Sequence, residues 1–454
     1  LAAWIILTGA ATGWLVLDKL RLASRLNGLE VFAFSTGIGL NIWSLLTLGI
    51  GLSGGLRQTW LFVTLMSGAV LVAAWKLWGQ REIVADQLRS GWRALGRLGE
   101  GMNSPAWFAR AGAGLLIPFF VFLLLGGALA PWHFDVREYH LQAPKEWYLE
   151  GQIGFMPHNI YGNMPLGAEM HALLGMTLWP GELAWWYGAI VGKVVIAAFA
   201  PLTAVLVYAA GRRLMSPAAG LVAAIVYLSL PWIAHLSFTG LIEGVVAYYL
   251  FAAFYATLLW SRERRESYAT ADETPSDTPG DSIVSLKSDG LVMVAGWMAG
   301  AAIACKYPSL LFVGFPIGLW VLFDRWAIHW RSAMLFTLFL VAACGLWFGK
   351  NVVLAGNPTY PLLYSAFGGE TMTPEKHSQW KTAHAVPRDM SYSEDSPLAR
   401  HSPSQLWNSM ARVVYRNDWV SPLMMPLVVV GVFAAWGTRW AKLALVGIVY
   451  YFVT

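Results

Sequence analysis

The sequence predicts an all-α polytopic membrane protein with about twelve transmembrane helices and a large extracytoplasmic loop after the fourth. Three observations carry this. The 454 residues are 57% hydrophobic and only 13% charged, and mean hydropathy is +0.52, far beyond what a soluble core requires. Apolar runs of spanning length recur, since a hydrocarbon core of ~30 Å takes about 20 residues of helix. Twenty-five Trp and 17 Tyr suit interfacial belts.

The clearest runs lie near 31–52, 57–77, 113–131, 183–209, 217–235, 241–260 and 332–349. Residues 1–112 read as a three-helix extension with a basic loop, 113–365 as the transmembrane core, 366–422 as an extracytoplasmic loop and 423–454 as further helices. Both ends lie inside apolar runs, the expectation for a fragment lacking C-terminal helices. The first run lacks a basic leader and a small-residue cleavage site, so it reads as a helix and not a signal peptide.

Orientation comes from the basic residues. They gather at Lys19, Arg21 and Arg25, at Lys76, Arg81, Arg89, Arg93, Arg97 and Arg110, at Arg212 and Arg213, at Arg262, Arg264 and Arg265, at Arg325 and Arg331, and at Arg439 and Lys442. Every second loop carries them. Positive loops stay cytoplasmic, so 132–182 and 350–422 are expected in the periplasm or outside a bacterial inner membrane. The net charge of +5 follows from this bias and from attraction to anionic lipid, and calls for no nucleic acid.

Cys305 and Cys344 sit in apolar surroundings, which argues against a disulfide framework or a thiolate zinc site. Residues 261–290 are polar, acidic around 266–281, and read as a disordered cytoplasmic linker. Residues 366–422 hold Trp380, Trp407, Tyr415 and Trp419 among polar neighbours, a pattern of short interfacial helices.

Charges inside or beside apolar spans are costly, which makes each a functional hypothesis. Lys193, Glu243, Lys306 and Lys350 all fall toward the half that carries Asp135. Scattered structural charges would show no such bias, although snorkelling explains Lys350 cheaply. Asp135 follows the 113–131 run, between the interfacial Trp132 and Phe134 and the charged Arg137 and Glu138. A carboxylate there can accept a proton from a substrate hydroxyl, with Glu138 as its substitute; the bland alternative is a solvated helix-end carboxylate. Trp132, Trp147 and Tyr161 suit interfacial anchoring.

His133, His140, His158 and His171 form no His-Glu-x-x-His or His-x-His pattern, so they read as pocket-lining groups rather than transition-metal ligands. A loosely held Mg²⁺ or Ca²⁺ on Asp135 with Glu138 or Glu169 stays open, because oxygen-ligand sites leave weak spacing signatures. The segments 162–165 and 356–358 are turn formers first.

Together these residues resemble a known family. An apolar helix running into Asp135-x-x-x-Tyr139-His140-Leu141, then Pro144-Lys145-x-Trp147, Pro157-His158-Asn159-x-Tyr161 and Pro165-x-x-x-Glu169-Met170 is similar to the first extracytoplasmic loop of GT-C bacterial membrane glycosyltransferases. That group is related to dolichyl-phosphate-mannose protein mannosyltransferases and lipid A aminoarabinose transferases. The stretch from Gly300 to Tyr307 resembles its Gly-x-Ala-x-x-x-Lys-Tyr step, and Gly356-Asn357-Pro358-Thr359-Tyr360-Pro361 its Gly-Asn-Pro-x-x-Pro segment. The likeness runs in order over about 113–368.

The resemblance implies transfer of a sugar from a polyprenyl-phosphate donor to an extracytoplasmic glycan, lipid or protein, with no certain cofactor. Asp135 matches the family's acidic residue. The frequent Asp-Glu pair is broken by Val136, which leaves Glu138 to take the second role. Under the resemblance Lys306, Arg137 and Lys193 are the expected phosphate-binding cations, Glu243, His140, Tyr139, Glu169 and Trp147 the expected pocket, and Trp132, Trp147 and Tyr161 either faces for a sugar ring or isoprenoid or interfacial anchors. A transporter would instead place charges near the midplane in paired repeats, and an assembly subunit would have no reason to gather these groups. A glycan ligase or polymerase of the same superfamily would differ in cavity size.

Overall fold

The computed structural model describes residues 1–80, 106–272, 280–324, 327–384, 403–404, 407–408, 411–412, 418–420, 424–434 and 436; at 106–110, 113, 267–272, 280–288, 424, 425, 427, 432 and 434 this is backbone alone. Arg81, Arg89, Arg93, Arg97, Arg325, Tyr415, Arg439 and Lys442 lie outside the described residues, as does the Arg110 side chain. Among the described residues the structure is helical without strands. Five helices are long and apolar enough to cross a membrane, six if one bent pair counts as a single span.

In chain order the main helices up to Ala355 are α1 (Ala2–Lys19), α2 (Gly28–Leu52), α3 (Thr59–Gly79), α4 (Ala106–Gly127), α5 (Gln142–Glu150), α6 (Met170–Leu178), α7 (Ala184–Leu214), α8 (Pro217–Ser229), α9 (Pro231–Thr239), α10 (Glu243–Asp272), α11 (Gly280–Cys305), α12 (Phe315–Leu322) and α13 (Trp330–Ala355). The chain divides into two units, one of Leu1–Ser229 with Ile233–Thr371 and one of Leu230–Trp232 with Met372–Thr454. In the second unit, helix Pro374–Ala383 is capped by Thr373, whose hydroxyl accepts from the Lys376 amide at 3.3 Å, and Met424–Ala434 is an apolar helix.

In the first unit α2 begins with a capping box. Asn27 accepts from the Leu29 and Glu30 amides and Glu30 accepts from the Asn27 amide, so the orphan donors of the first turn are used. Small residues let α1 and α2 meet backbone to backbone: a Cβ on Gly13 would lie 1.8 Å from the Ser35 carbonyl oxygen, and one on Gly39 1.8 Å from that of Gly9. Helix α10 is tied to α2 by hydroxyls, Tyr248 donating to Ala33 O at 2.6 Å and Tyr249 to Gly37 O at 3.0 Å. Buried Trp43, Phe34, Phe199, Tyr248 and Trp260 fill the space between.

The ends of the bundle differ in chemistry. One end carries the ion pairs Arg25–Glu263, Lys76–Asp18 at 2.8 Å and Arg213–Glu30 at 2.7 Å. The other carries the 132–182 segment, the start of α10 and the ends of α11 and α13.

Two features depart from the sequence reading. The run near 217–235 is two helices bent by 57°, because Pro231 cannot donate the helical hydrogen bond. The 261–290 linker is not disordered where described: α10 continues to Asp272 and helix resumes at Gly280, with 273–279 outside the described residues. An Arg262–Glu266 pair at i,i+4, 2.9 Å long, supports the extension.

Candidate functional site

The site is built on the turn that follows α4. Residues Val136–His140 form one π-helical turn that passes into α5, a wide geometry often found at functional positions. Asp135 stands at its head, partly buried, and makes no hydrogen bond or ion pair among the described residues. One turn on, Tyr139 stacks on Tyr161 with ring centroids 5.0 Å apart and lies against His140 at 4.1 Å. Burial first, then the carboxylates of Asp135, Glu169 and Glu243, push the Tyr139 hydroxyl well above the usual phenol range. Burial and Asp135 do the same to Tyr161. Five sequence-predicted groups, Asp135, Tyr139, His140, Glu169 and Glu243, therefore share one neighbourhood.

His140 and Glu169 are both buried and joined Nδ1 to Oε1 at 2.5 Å, while Glu169 Oε2 has no partner. Glu243 opens α10 and Lys306 follows the last residue of α11; Nζ and Oε1 are 2.6 Å apart. Each charge complements its own helix, acid at an N-terminus and base at a C-terminus, so the dipoles favour the pair. It is also half-open to solvent, and Glu243 Oε2 has no partner. His140 lies within electrostatic reach of Glu243.

Several expected site residues serve elsewhere. Trp147 is not a stacking face: it is fully buried, with its indole N–H donating to Gly154 O at 3.0 Å. Lys193 is not open to a phosphate: its side chain is buried, its ammonium donates to Leu129 O at 2.6 Å, and its stem lies across Gly240. A Cβ on Gly240, where φ is +84°, would lie 3.0 Å from both Cε and Cγ of Lys193, so the glycine serves both the turn and the lysine. Lys350 is buried between Trp147 and Trp347 and donates to Asn163 O at 3.0 Å. The Asn163 amide bonds Met156 N and O, and Asn357 bonds Thr359 N, Leu362 O and Gly368 O, so both Asn-containing motifs build turns.

Of the remaining histidines, His158 pairs with Glu146 at 2.9 Å, and burial pushes His171 down to about 4. Among the described residues no three His, Cys, Asp or Glu side chains gather as a metal would need.

Arg137 and Glu138 face a separate cavity of about 530 Å³, lined also by Phe134, Gln142, Lys145 and Trp185. Sequence reasoning missed Lys145 and Trp185 as site residues. The signal was present: 134, 138, 141, 142 and 145 recur at helical spacing on one face, about a quarter turn from Asp135.

Among the described residues the structure is all-helical, with apolar helices that fit a membrane and a charged cluster at one end of the bundle. A scan against protein-family models and searches of characterised proteins and solved structures give no match to this chain.

Proposed function

We propose that the chain is a GT-C-type membrane glycosyltransferase that moves a sugar from a polyprenyl-phosphate donor to a glycan, lipid or protein acceptor outside a bacterial inner membrane. In this reading the bundle has about twelve spans, and 132–182 is its first large extracytoplasmic loop. One observation carries the reading: a carboxylate without a partner, Asp135, shares a neighbourhood with a solvent-accessible cation, Lys306.

The donor phosphate exchanges with Glu243 for the Lys306 ammonium, which neutralises charge as the phosphate leaves. Asp135 takes the acceptor proton while the hydroxyl oxygen bonds to the anomeric carbon. The bond from that carbon to the phosphate oxygen breaks, the configuration inverts, and polyprenyl phosphate departs. Tyr139, protonated throughout, donates to a sugar or phosphate oxygen. Lys193, tied to Leu129 O, stiffens the end of α4.

The test is Asp135→Asn, assayed for transfer from polyprenyl-phosphate-linked sugars after checking insertion and melting. Loss of at least ~10²-fold in rate with unchanged folding is expected, the scale of general-base help. Undiminished turnover would refute the assignment.

A further inference from the structure

The cavity beside Arg137 is distinct in composition from the cluster around Asp135. Its walls are of three kinds. Phe134, Leu141, Met176 and Ala189 are apolar; Trp185 and Trp186 present indoles with centroids 5.8 Å apart at 70°; and Arg137, Glu138, Gln142 and Lys145 are polar. Lys145 Nζ is held 4.2 Å from the Trp185 ring centroid, which fixes a long side chain that would otherwise roam. Arg137 is exposed and has no ion pair among the described residues.

We infer that this cavity is a binding site for an acidic saccharide, one bearing a carboxylate or a phosphate, and that it receives the acceptor. The inference rests on the transferase reading for the word acceptor, but the binding chemistry stands on the cavity itself. Two cations against one carboxylate leave an excess of one positive charge. A guanidinium fork matches a carboxylate or phosphate with two parallel hydrogen bonds, and the ammonium adds a second point of attraction. Glu138 offers a carboxylate acceptor to a sugar hydroxyl, and Gln142, whose amide nitrogen donates to Glu146 at 2.7 Å, offers its carbonyl oxygen. Flat indoles suit the C–H face of a pyranose ring. A lipid headgroup or free phosphate would use the cations but would leave Glu138 as a repulsive wall and the indoles without a partner. At about 530 Å³ the cavity takes one or two sugar rings.

The cavity and the proposed base are carried by the same short segment of chain. Glu138, on the cavity wall, is three residues along the chain from Asp135, which heads the same π turn.

The test uses the full chain in nanodiscs and calorimetric titration with three probes: a glucuronate-terminated disaccharide, glucose 6-phosphate and neutral cellobiose. The acidic probes should bind at least tenfold more tightly than cellobiose. Arg137→Gln and Lys145→Gln should each weaken the acidic probes about tenfold and leave cellobiose unchanged, with unaltered melting. Trp185→Leu should weaken all three. Equal affinity for acidic and neutral probes, no binding, or binding indifferent to Arg137→Gln overturns the inference. So does inorganic phosphate binding as tightly as the sugars, or displacement of the sugars when phosphatidylglycerol replaces zwitterionic lipid, since these indicate a bare anion or headgroup site. Asp135→Asn should retain acidic-sugar binding. Binding without transfer in the unmodified chain would therefore sink the transferase reading alone, and transfer without binding would sink this one alone.

Discussion

Lys306→Met and Glu243→Gln should move donor affinity in opposite directions while barely touching stability. The two side chains are 46% and 37% exposed, so solvent screens the pair and its contribution to folding is about 0–1 kcal/mol. Loss of one favourable helix-end charge adds about 0.3–1 kcal/mol. Either variant should therefore melt within a few degrees of the parent. Binding differs, because a phosphate held by an ammonium gains about 1.5–3 kcal/mol from a charged hydrogen bond. At about 1.4 kcal/mol per decade, Lys306→Met should lose roughly 10- to 100-fold in affinity for an isoprenoid phosphate. Glu243→Gln removes the carboxylate that competes for the ammonium, so affinity should hold or rise. The assay is titration with farnesyl phosphate in nanodiscs beside thermal melting of each variant. Equal weakening by both substitutions would mean that the pair acts as a structural clasp. Unchanged affinity in Lys306→Met would remove it from the donor site.

Three further outcomes test the fold. Gly39→Ala should cost about 1–3 kcal/mol, because the new Cβ meets the Gly9 carbonyl and must part α1 from α2; Gly68→Ala, with nothing within 4 Å, should melt no lower than the parent. Lys350→Met keeps volume between two indoles and removes a buried charge, so it should change stability by less than about 1.5 kcal/mol. Lys350→Ala opens a cavity there, and the loss should reach about 2–5 kcal/mol. His171, buried with its Nδ1 unpartnered, titrates at about 4 against 6.5 when unfolded. Between those values the unfolded chain binds a proton that the folded chain does not, so stability is complete above 6.5 and falls with acidification, by about 3 kcal/mol at pH 4. His171→Leu should lose that part of the acid slope, and an identical melting profile from pH 7 to 4.5 would show that His171 carries none of it.

How legible the chain was depended on the kind of information needed. Spans were legible because length and apolarity decide them: the runs near 31–52, 57–77, 183–209, 241–260 and 332–349 all lie within helices α2, α3, α7, α10 and α13 but for a residue or two. Helix beyond Trp260 was not, because a polar, acidic composition reads as disorder even where the chain continues as helix, with one i,i+4 pair, Arg262–Glu266, adding a little support. In the candidate site, polarity out of place marked Asp135, Tyr139, His140, Glu169, Glu243 and Lys306, which the structure brings into one neighbourhood. Trp147 and Lys193 were misread, since spacing cannot say whether a side chain turns toward a cavity or a neighbouring helix. The Lys145–Trp185 contact was invisible for the opposite reason, joining residues that share no pattern along the chain.

Polarity out of place is therefore a poor guide unless one asks whether each group is already satisfied. Glu30 shows why. It is fully buried among helices and would pass any test for a functional charge, yet Oε2 takes Arg213 and the Asn27 amide, and Oε1 takes the Tyr255 hydroxyl. Nothing is left for a ligand, and the cost of burying the charge is met within the fold. At the other end of the bundle Glu243 and Glu169 each use one oxygen and leave the other without a donor, and Asp135 has no partner of its own. A buried acceptor left unpaired costs about 1–3 kcal/mol, a penalty that the donors around Glu30 remove. Glu30 and Glu243 thus differ in how many donors each carboxylate has found, and it is the open oxygen together with the solvent-accessible Lys306 that leaves the Glu243 pair able to exchange partners.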